Sequence, residues 1–520
     1  MLSDSASLIL STKSTVNPAV FGAPVGGVTT KNSFTFNNID LKNVMGEMWD
    51  KYDTFALKLV SCSTQGTTTT PNSTYGVVCW NVRGLEWVNL FNEYTGTHLN
   101  QQWAPIVFLN VFQSSPQTTP LITNTGQSFN FKKGMRNVNL EFAMSWVDSA
   151  KTNDFGGQSG QLNNAFIYND VEFHFLFEPV IPGKMNECAC FLFDTNPDPQ
   201  IRVGRNVSAD RKEYSYPAFN MRNLCSLFWD KHTDFEIQMA QTLLRGTGTL
   251  TSDNRVALVQ MSGPNFVNNG TKQVDNTNKL TLSTENVLVG SLIVAATAGT
   301  HPVDNAYPVA PVQFKKDQDI MPLTITFKNR LNTGNYAASF TGTSPSFQIA
   351  FFVKPIYGVE KATLNINPWG LTTTETDIGV RDANYTTFTL KGIDMRRVCG
   401  SMWDKYDRFN IFLTQTTLTV GAASAVNAAF MIQMEGFDFI NQLSLTASNR
   451  QNQVATLGSF YGLPDSNPRT VGIMSSAITT FYKTKDIVDL TLTAIPLGTT
   501  AFTSQPLIGL FTFTILGVRD

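Results

Sequence analysis

The sequence predicts an all-β protein of three tandem antiparallel β-sandwich domains, each carrying one short amphipathic helix. Three observations carry that expectation. Phe alone supplies 38 of the 520 residues, and Thr, Asn and Ser crowd the connections between short apolar runs, which is the palette of half-buried strands joined by turns. A segment of 16 residues occurs three times in recognisable form. At the usual 100 to 200 residues per domain, the length itself suggests about three domains.

The repeated segment opens the chain to analysis. It reads Asp-Leu-Lys-Asn-Val-Met-Gly-Glu-Met-Trp-Asp-Lys-Tyr-Asp-Thr-Phe from Asp40 to Phe55. From Asn220 to Phe235 it is Asn-Met-Arg-Asn-Leu-Cys-Ser-Leu-Phe-Trp-Asp-Lys-His-Thr-Asp-Phe, and from Asp394 to Phe409 it is Asp-Met-Arg-Arg-Val-Cys-Gly-Ser-Met-Trp-Asp-Lys-Tyr-Asp-Arg-Phe. Trp49, Trp229 and Trp403 are equivalent, 180 and 174 residues apart. An Asn-Pro pair precedes each copy, at Asn17, Asn196 and Asn367. A Gly followed by an aromatic residue and an Asn comes after each copy: Gly84, Trp87 and Asn89; Gly263, Phe266 and Asn268; Gly436, Phe439 and Asn441.

Each copy then carries an alternating strand and a Phe-rich run. The first two runs end in Pro/Gly punctuation, Glu178 to Gly183 and Lys354 to Gly358, which suits short interdomain connections. The boundaries predicted are residues 1–184, 185–358 and 359–520. A period near 175 residues is too long for a solenoid unit, so whole domains are repeated.

Within a copy the helix comes first. Leu41, Val44, Met45, Met48, Trp49 and Tyr52 form one apolar face of a 3.6-residue period. Asp40, Asn220 and Asp394 stand where an N-cap oxygen meets the orphan amides of the first turn. Lys51, Lys231 and Lys405 fall in the last turn, where a cation complements the helix dipole. The period then switches to two, with Phe55, Leu57 and Leu59, Phe235, Ile237 and Met239, and Phe409, Ile411 and Leu413. Further strands are predicted at Phe34 to Phe36, Val77 to Val82, Val138 to Phe142 and Val171 to Phe177. About eight strands per copy fit a two-sheet sandwich, and the jelly roll is the most economical such topology.

Composition excludes several functions. Net charge is −2 and no Lys/Arg run forms a basic arm, so direct nucleic-acid binding is not expected. The aromatic and basic stretch Phe129 to Lys133 is too short for a phosphate-tracking groove and reads as an exposed hairpin end. The longest weakly polar stretch, Val287 to Gly299, is too short for a transmembrane helix, and the N-terminus has no basic region typical of a secretory signal. Six cysteines and four histidines form no disulfide scaffold or zinc spacing, so no metal or cofactor is expected.

The triplets Trp49-Asp50-Lys51, Trp229-Asp230-Lys231 and Trp403-Asp404-Lys405 are the sharpest signature. They offer a carboxylate and an amine but no convergent third group, so they read as fold anchors and no enzyme is predicted. His232, which replaces Tyr52 and Tyr406, reads as a substituted aromatic position. Glu172 and His174 read as a solvated strand face.

With these three helix-bearing copies the chain resembles the jelly-roll capsid proteins of large icosahedral double-stranded DNA viruses, and among them the minor capsid components. The resemblance implies a shell-building role in the virion, with assembly in the host cytoplasm. It also implies contacts with the major capsid protein and other capsid proteins and, as a further candidate surface, an inner membrane layer. Major capsid proteins of that lineage have two jelly rolls per chain, so three copies depart from that role. A rival reading is a carbohydrate-binding or adhesive sandwich array, with Trp80, Trp87 and Trp369 as exposed stacking platforms.

Overall fold

The computed structural model describes residues 5–21, 33–67, 77–92, 103–110, 128–146, 167–182, 186–194, 206–207, 213–226, 228–246, 256–274, 280–283, 287–293, 299–301, 311–329, 346–357, 360–368, 370–418, 428–440, 453–462, 469–471, 473–476, 478–496 and 509–518. Within them the chain is all-β. The principal strands of the first repeat are β1 (Ala6–Ser11), β2 (Ser33–Asp40), β3 (Thr54–Thr67), β4 (Val77–Arg83), β5 (Ala104–Asn110), β6 (Ser128–Lys132), β7 (Asn137–Trp146) and β8 (Ile167–Pro179). Their orders are β1-β8-β3-β6 in one sheet and β2-β7-β4-β5 in the other, with antiparallel pairing throughout. First strand beside last and second beside seventh is the jelly-roll arrangement.

The same order recurs twice. The second repeat contributes β9 (Ala189–Asp194), β10 (Glu213–Asn220), β11 (Asp234–Gly246), β12 (Val256–Ser262), β13 (Val287–Ile293), β14 (Val312–Lys315), β15 (Ile320–Asn329) and β16 (Ser346–Pro355). The third contributes β17 (Lys361–Asn367), β18 (Thr387–Asp394), β19 (Arg408–Leu418), β20 (Ala428–Glu435), β21 (Val454–Gly462), β22 (Thr479–Tyr482), β23 (Ile487–Pro496) and β24 (Gly509–Val518). Their sheets run β9-β16-β11-β14, β10-β15-β12-β13, β17-β24-β19-β22 and β18-β23-β20-β21.

Alternation explains why these segments pair as they do. In β8, Phe173, Phe175 and Phe177 are buried while Glu172, His174 and Leu176 between them are partly or fully exposed, so one face of the strand enters the core. Each sandwich has its own apolar cluster. The apolar stretch from Val287 begins as strand β13, and among the described residues no helix is long and apolar enough to cross a membrane.

The predicted continuous helix is instead broken. The first repeat has α1 (Leu41–Met45) and α2 (Glu47–Lys51), the second has α3 (Met221–Leu224) followed by a 3₁₀ turn at Trp229–Lys231, and the third has α4 (Met395–Cys399) and α5 (Met402–Lys405). Gly46 and Gly400 cause the break in the first and third: each takes a positive φ, +58° and +53°, which helical geometry does not accommodate. The kink keeps Leu41, Met45, Met48 and Trp49 buried on one side, so the apolar periodicity is real although the helix is not continuous.

The repeats are joined by shared sheets. Leu90–Asn92, which follows the Gly84 to Asn89 motif, pairs in parallel with β9 of the second repeat. Asn269–Val274, which follows the Gly263 to Asn268 motif, pairs in parallel with β17 of the third. Each junction therefore extends one repeat's sheet with a strand from the repeat before it. Core packing follows, since the first apolar cluster also takes in Cys188, Cys190, Leu192, Ala350 and Phe352.

Candidate functional site

The Trp-Asp-Lys segments form three versions of one module. Asp40, Asn220 and Asp394 each accept a hydrogen bond from a first-turn amide, those of Asn43, Asn223 and Arg397, at 3.1, 2.8 and 3.0 Å. Trp49, Trp229 and Trp403 are buried and stack on Phe55, Phe235 and Phe409, with ring centroids 5.7, 4.8 and 4.9 Å apart. The indole thus seals the helix end against β3, β11 or β19.

Charges surround each indole in a repeating pattern. Trp229 and Trp403 donate their Nε1 hydrogens to Asp319 and Asp486 at 2.7 and 2.8 Å. Arg222 bridges Asp230 (2.8 Å) and Asp319 (3.1 Å), and Arg396 bridges Asp404 (2.8 Å) and Asp486 (3.3 Å). The Lys316 and Lys483 ammonium groups donate to the carbonyls of Trp229 and Trp403 at 2.9 and 2.7 Å. The indole hydrogen bonds, aided by the arginines, hold the Asp319 and Asp486 carboxyls below the usual range.

The first repeat has exchanged one charge. Arg136 stands where the others have Asp, and it forks onto Asp40 at 2.8 and 2.5 Å. That fork holds the Asp40 carboxyl down to about 2. Lys42 pairs with Asp50 at 2.9 Å, and Lys133 lies 5.5 Å above the Trp49 ring. Of the last-turn lysines, Lys51 pairs with Glu47 at 3.1 Å and Lys405 with Glu360 at 2.5 Å, while Lys231 is exposed in its 3₁₀ turn. Most carboxylates and cations in the module pair with one another or with backbone carbonyls, which suits a clamp.

Other expectations change with the structure. Phe129 and Phe131 are buried in β6, so the aromatic part of Phe129 to Lys133 is core strand, and only its end from the exposed Lys132 onward belongs to an exposed connection. Trp80 and Trp87 are buried and cannot stack on a sugar; Trp369 lies outside the described residues. His174 is not merely solvated, since its Nε2 lies 2.7 Å from the Ser7 hydroxyl.

His232 also has a more specific setting than an aromatic substitution suggests. Its Nε2 is 2.9 Å from the buried Glu187 carboxylate, which also accepts from the Tyr357 hydroxyl. Burial and the neighbouring carboxylate push that phenol's pKa up. Glu187 and Tyr357 line a cleft where the repeats meet, with Lys58 and Glu178 from the first repeat, Glu236 and Lys354 from the second and Lys361 from the third. Lys361 closes it by pairing with Glu236. Among the described residues no three His, Cys, Asp or Glu side chains converge as metal ligands.

The junction residues were not legible as a site. Asn89 and Asn268 both take positive φ, +57° and +54°, and their carbonyls accept from the Cys190 and Thr363 amides at 2.8 and 2.9 Å. Asn89 also accepts from the Ser226 hydroxyl at 3.0 Å, and Asn268 donates to Gln313 at 3.1 Å. The recurring Gly-aromatic-Asn spacing was the signal, but only the fold shows that it serves the joint.

No protein-family model matches the chain, and no curated protein matches it. Among solved structures it is similar to a chain from the atomic structure of Sulfolobus turreted icosahedral virus, at 10% identity and TM-score 0.17 over 96% of this chain and 100% of that one. It is also similar to PNGF-II, at 7% identity and TM-score 0.23 over 72% of this chain and 79% of that one. Overlaps this loose carry no argument about fold or role.

Proposed function

We propose that the chain is a structural, non-enzymatic component of an icosahedral viral capsid, in a minor role among the capsomers of a separate major capsid protein. The observation that carries this reading is the fusion of three jelly rolls through shared sheets, each repeat extending the next by the same parallel strand. Such joints make a tile rather than beads on a string, and jelly rolls serve as capsid building blocks. The clamps support the same reading, because they stabilise each repeat alike and leave the outer surfaces to differ for different neighbours. Three repeats rather than two favour the minor role over the major one. Its partners would be the major capsid protein and other capsid proteins, with an inner membrane layer as a further contact.

The experiment is mass spectrometry of density-banded virus particles. A fixed copy number per particle supports the reading, and recovery of the chain only among soluble cellular proteins would overturn it. The carbohydrate-binding alternative loses Trp80 and Trp87 to the core.

A further inference from the structure

The two junctions follow one rule, and the first repeat presents the receiving half of a third. In register, Ala6, Ala189 and Ala362 are equivalent, each opposite the corresponding position of its repeat's last strand: Phe177, Val353 and Ile515. Ser7 therefore corresponds to Cys190 and Thr363, and Ile9 to Leu192 and Asn365. Cys190 lies opposite Leu90, and Thr363 opposite Asn269. In both cases the residue just after the positive-φ Asn meets the residue that follows the equivalent alanine, Ala189 or Ala362.

The receiving surface of the first repeat is open where the others are covered. Leu192 and Asn365 are 2% and 1% exposed, whereas Ile9 is 60% exposed. Along the last strands, Ala350 and Phe352 in β16 and Thr512 and Thr514 in β24 are buried, but Glu172 in β8 is exposed and His174 and Leu176 are half-buried. Gly46 repeats the contrast. A Cβ built on Gly400 would meet Asn268 Oδ1 at 2.5 Å, and Ser226 at the same position of the second repeat binds Asn89, yet nothing lies within 4 Å of a Cβ on Gly46. Among the described strands none pairs with the outer edge of β1.

We propose that this edge receives residues 442–447 from a second copy of the chain, so that copies join head to tail. The occupant is fixed by continuity with the two junctions: Gln442-Leu443-Ser444-Leu445-Thr446-Ala447 follows Asn441 as Leu90 follows Asn89 and Asn269 follows Asn268, and it alternates polar and apolar residues like a half-buried strand. The register places Gln442 opposite Ser7, Leu443 opposite Leu8 and Ser444 opposite Ile9. A second copy is the source because, among the described residues, β1 stays open while the other two joints are made within the chain. Thr480 stands at the position of Asn130, which accepts from the Cys188 amide at 3.0 Å, and of Gln313, but it is engaged within its own repeat, donating to Asn410 at 2.7 Å. Head-to-tail contacts of this kind use two different surfaces and propagate until a rotation closes them, and parallel addition to an exposed edge is an established mode of strand recognition.

The test mixes full-length Ser7→Cys and Gln442→Cys chains and treats them with a short bis-maleimide. The expected product is a covalent dimer formed between the two variants. Ile9→Pro, introduced into the Ser7→Cys chain, removes an edge amide that by analogy with Leu192 faces the incoming strand rather than β8. It should lower the dimer yield at least tenfold while near-ultraviolet circular dichroism stays unchanged. To cover misfolding of that variant, Leu443→Lys in the Gln442→Cys chain should give the same loss from the donor side. A product confined to monomer mass in a Ser7→Cys/Gln442→Cys double variant would overturn the proposal in favour of closure within one chain. A mixture that stays uncrosslinked and monomeric at all concentrations would overturn it outright.

Discussion

At the residue scale the clamp tryptophans combine packing and hydrogen bonding, and these contributions are separable. Trp229→Ala should destabilise the second repeat by about 3–5 kcal/mol through loss of a fully buried ring. Trp403→Phe keeps a ring against Phe409 and loses only the Nε1 donor to Asp486, so its denaturation midpoint should fall less than that of Trp403→Ala. Asp40 gives a pH signature of its own. Its folded pKa of about 2 lies below the ordinary 3.8, so its contribution is complete above about pH 4 and is lost as pH falls toward 2. Arg136→Ala should therefore lower the melting temperature at neutral pH and flatten the acid decline across that window. An unchanged slope would mean that the Arg136 fork does not form in solution. The caps and buried indoles were legible because they rest on local periodicity. The Trp229–Asp319 and Trp403–Asp486 partnerships span 90 and 83 residues, and no local pattern specifies such a meeting. The Lys316-to-Asp319 and Lys483-to-Asp486 spacing was visible, but its use depends on the hairpin that returns it to the helix.

At the element scale, two glycine classes separate strain from crowding. Gly84, Gly263 and Gly436 take φ of +114°, +119° and +126°, and a Cβ on them would fall 1.9, 1.8 and 2.2 Å from the carbonyl oxygens of Asn139, Pro322 and Asp489. Gly436→Ala should thus destabilise the third repeat by more than the roughly 1–3 kcal/mol of backbone strain alone. Gly46→Ala meets open space and should show only the strain. Comparing the two chemical denaturation midpoints checks the difference. The helix break shows why sequence periodicity was an incomplete guide: the apolar face continues through Gly46, but periodicity records which side is buried and not the dihedral of a residue without a side chain.

At the scale of the whole molecule, three jelly rolls become one body through strands that the Gly-aromatic-Asn landmarks precede but do not themselves reveal. Strand existence was readable from alternation, whereas the crossing of Leu90–Asn92 and Asn269–Val274 into the next repeat is a long-range pairing that alternation does not encode. Thr363→Pro removes the amide that donates to Asn268 and should speed hydrogen exchange at both strands of the second joint while leaving the third core protected. If the joint strands exchange no faster, the shared sheet is not what holds the repeats together. The capsid assignment itself is decided by a reconstruction of purified virus particles. The expected result is shell density into which each chain fits as three jelly rolls linked by parallel joint strands; a complete shell with no density for this chain would contradict it.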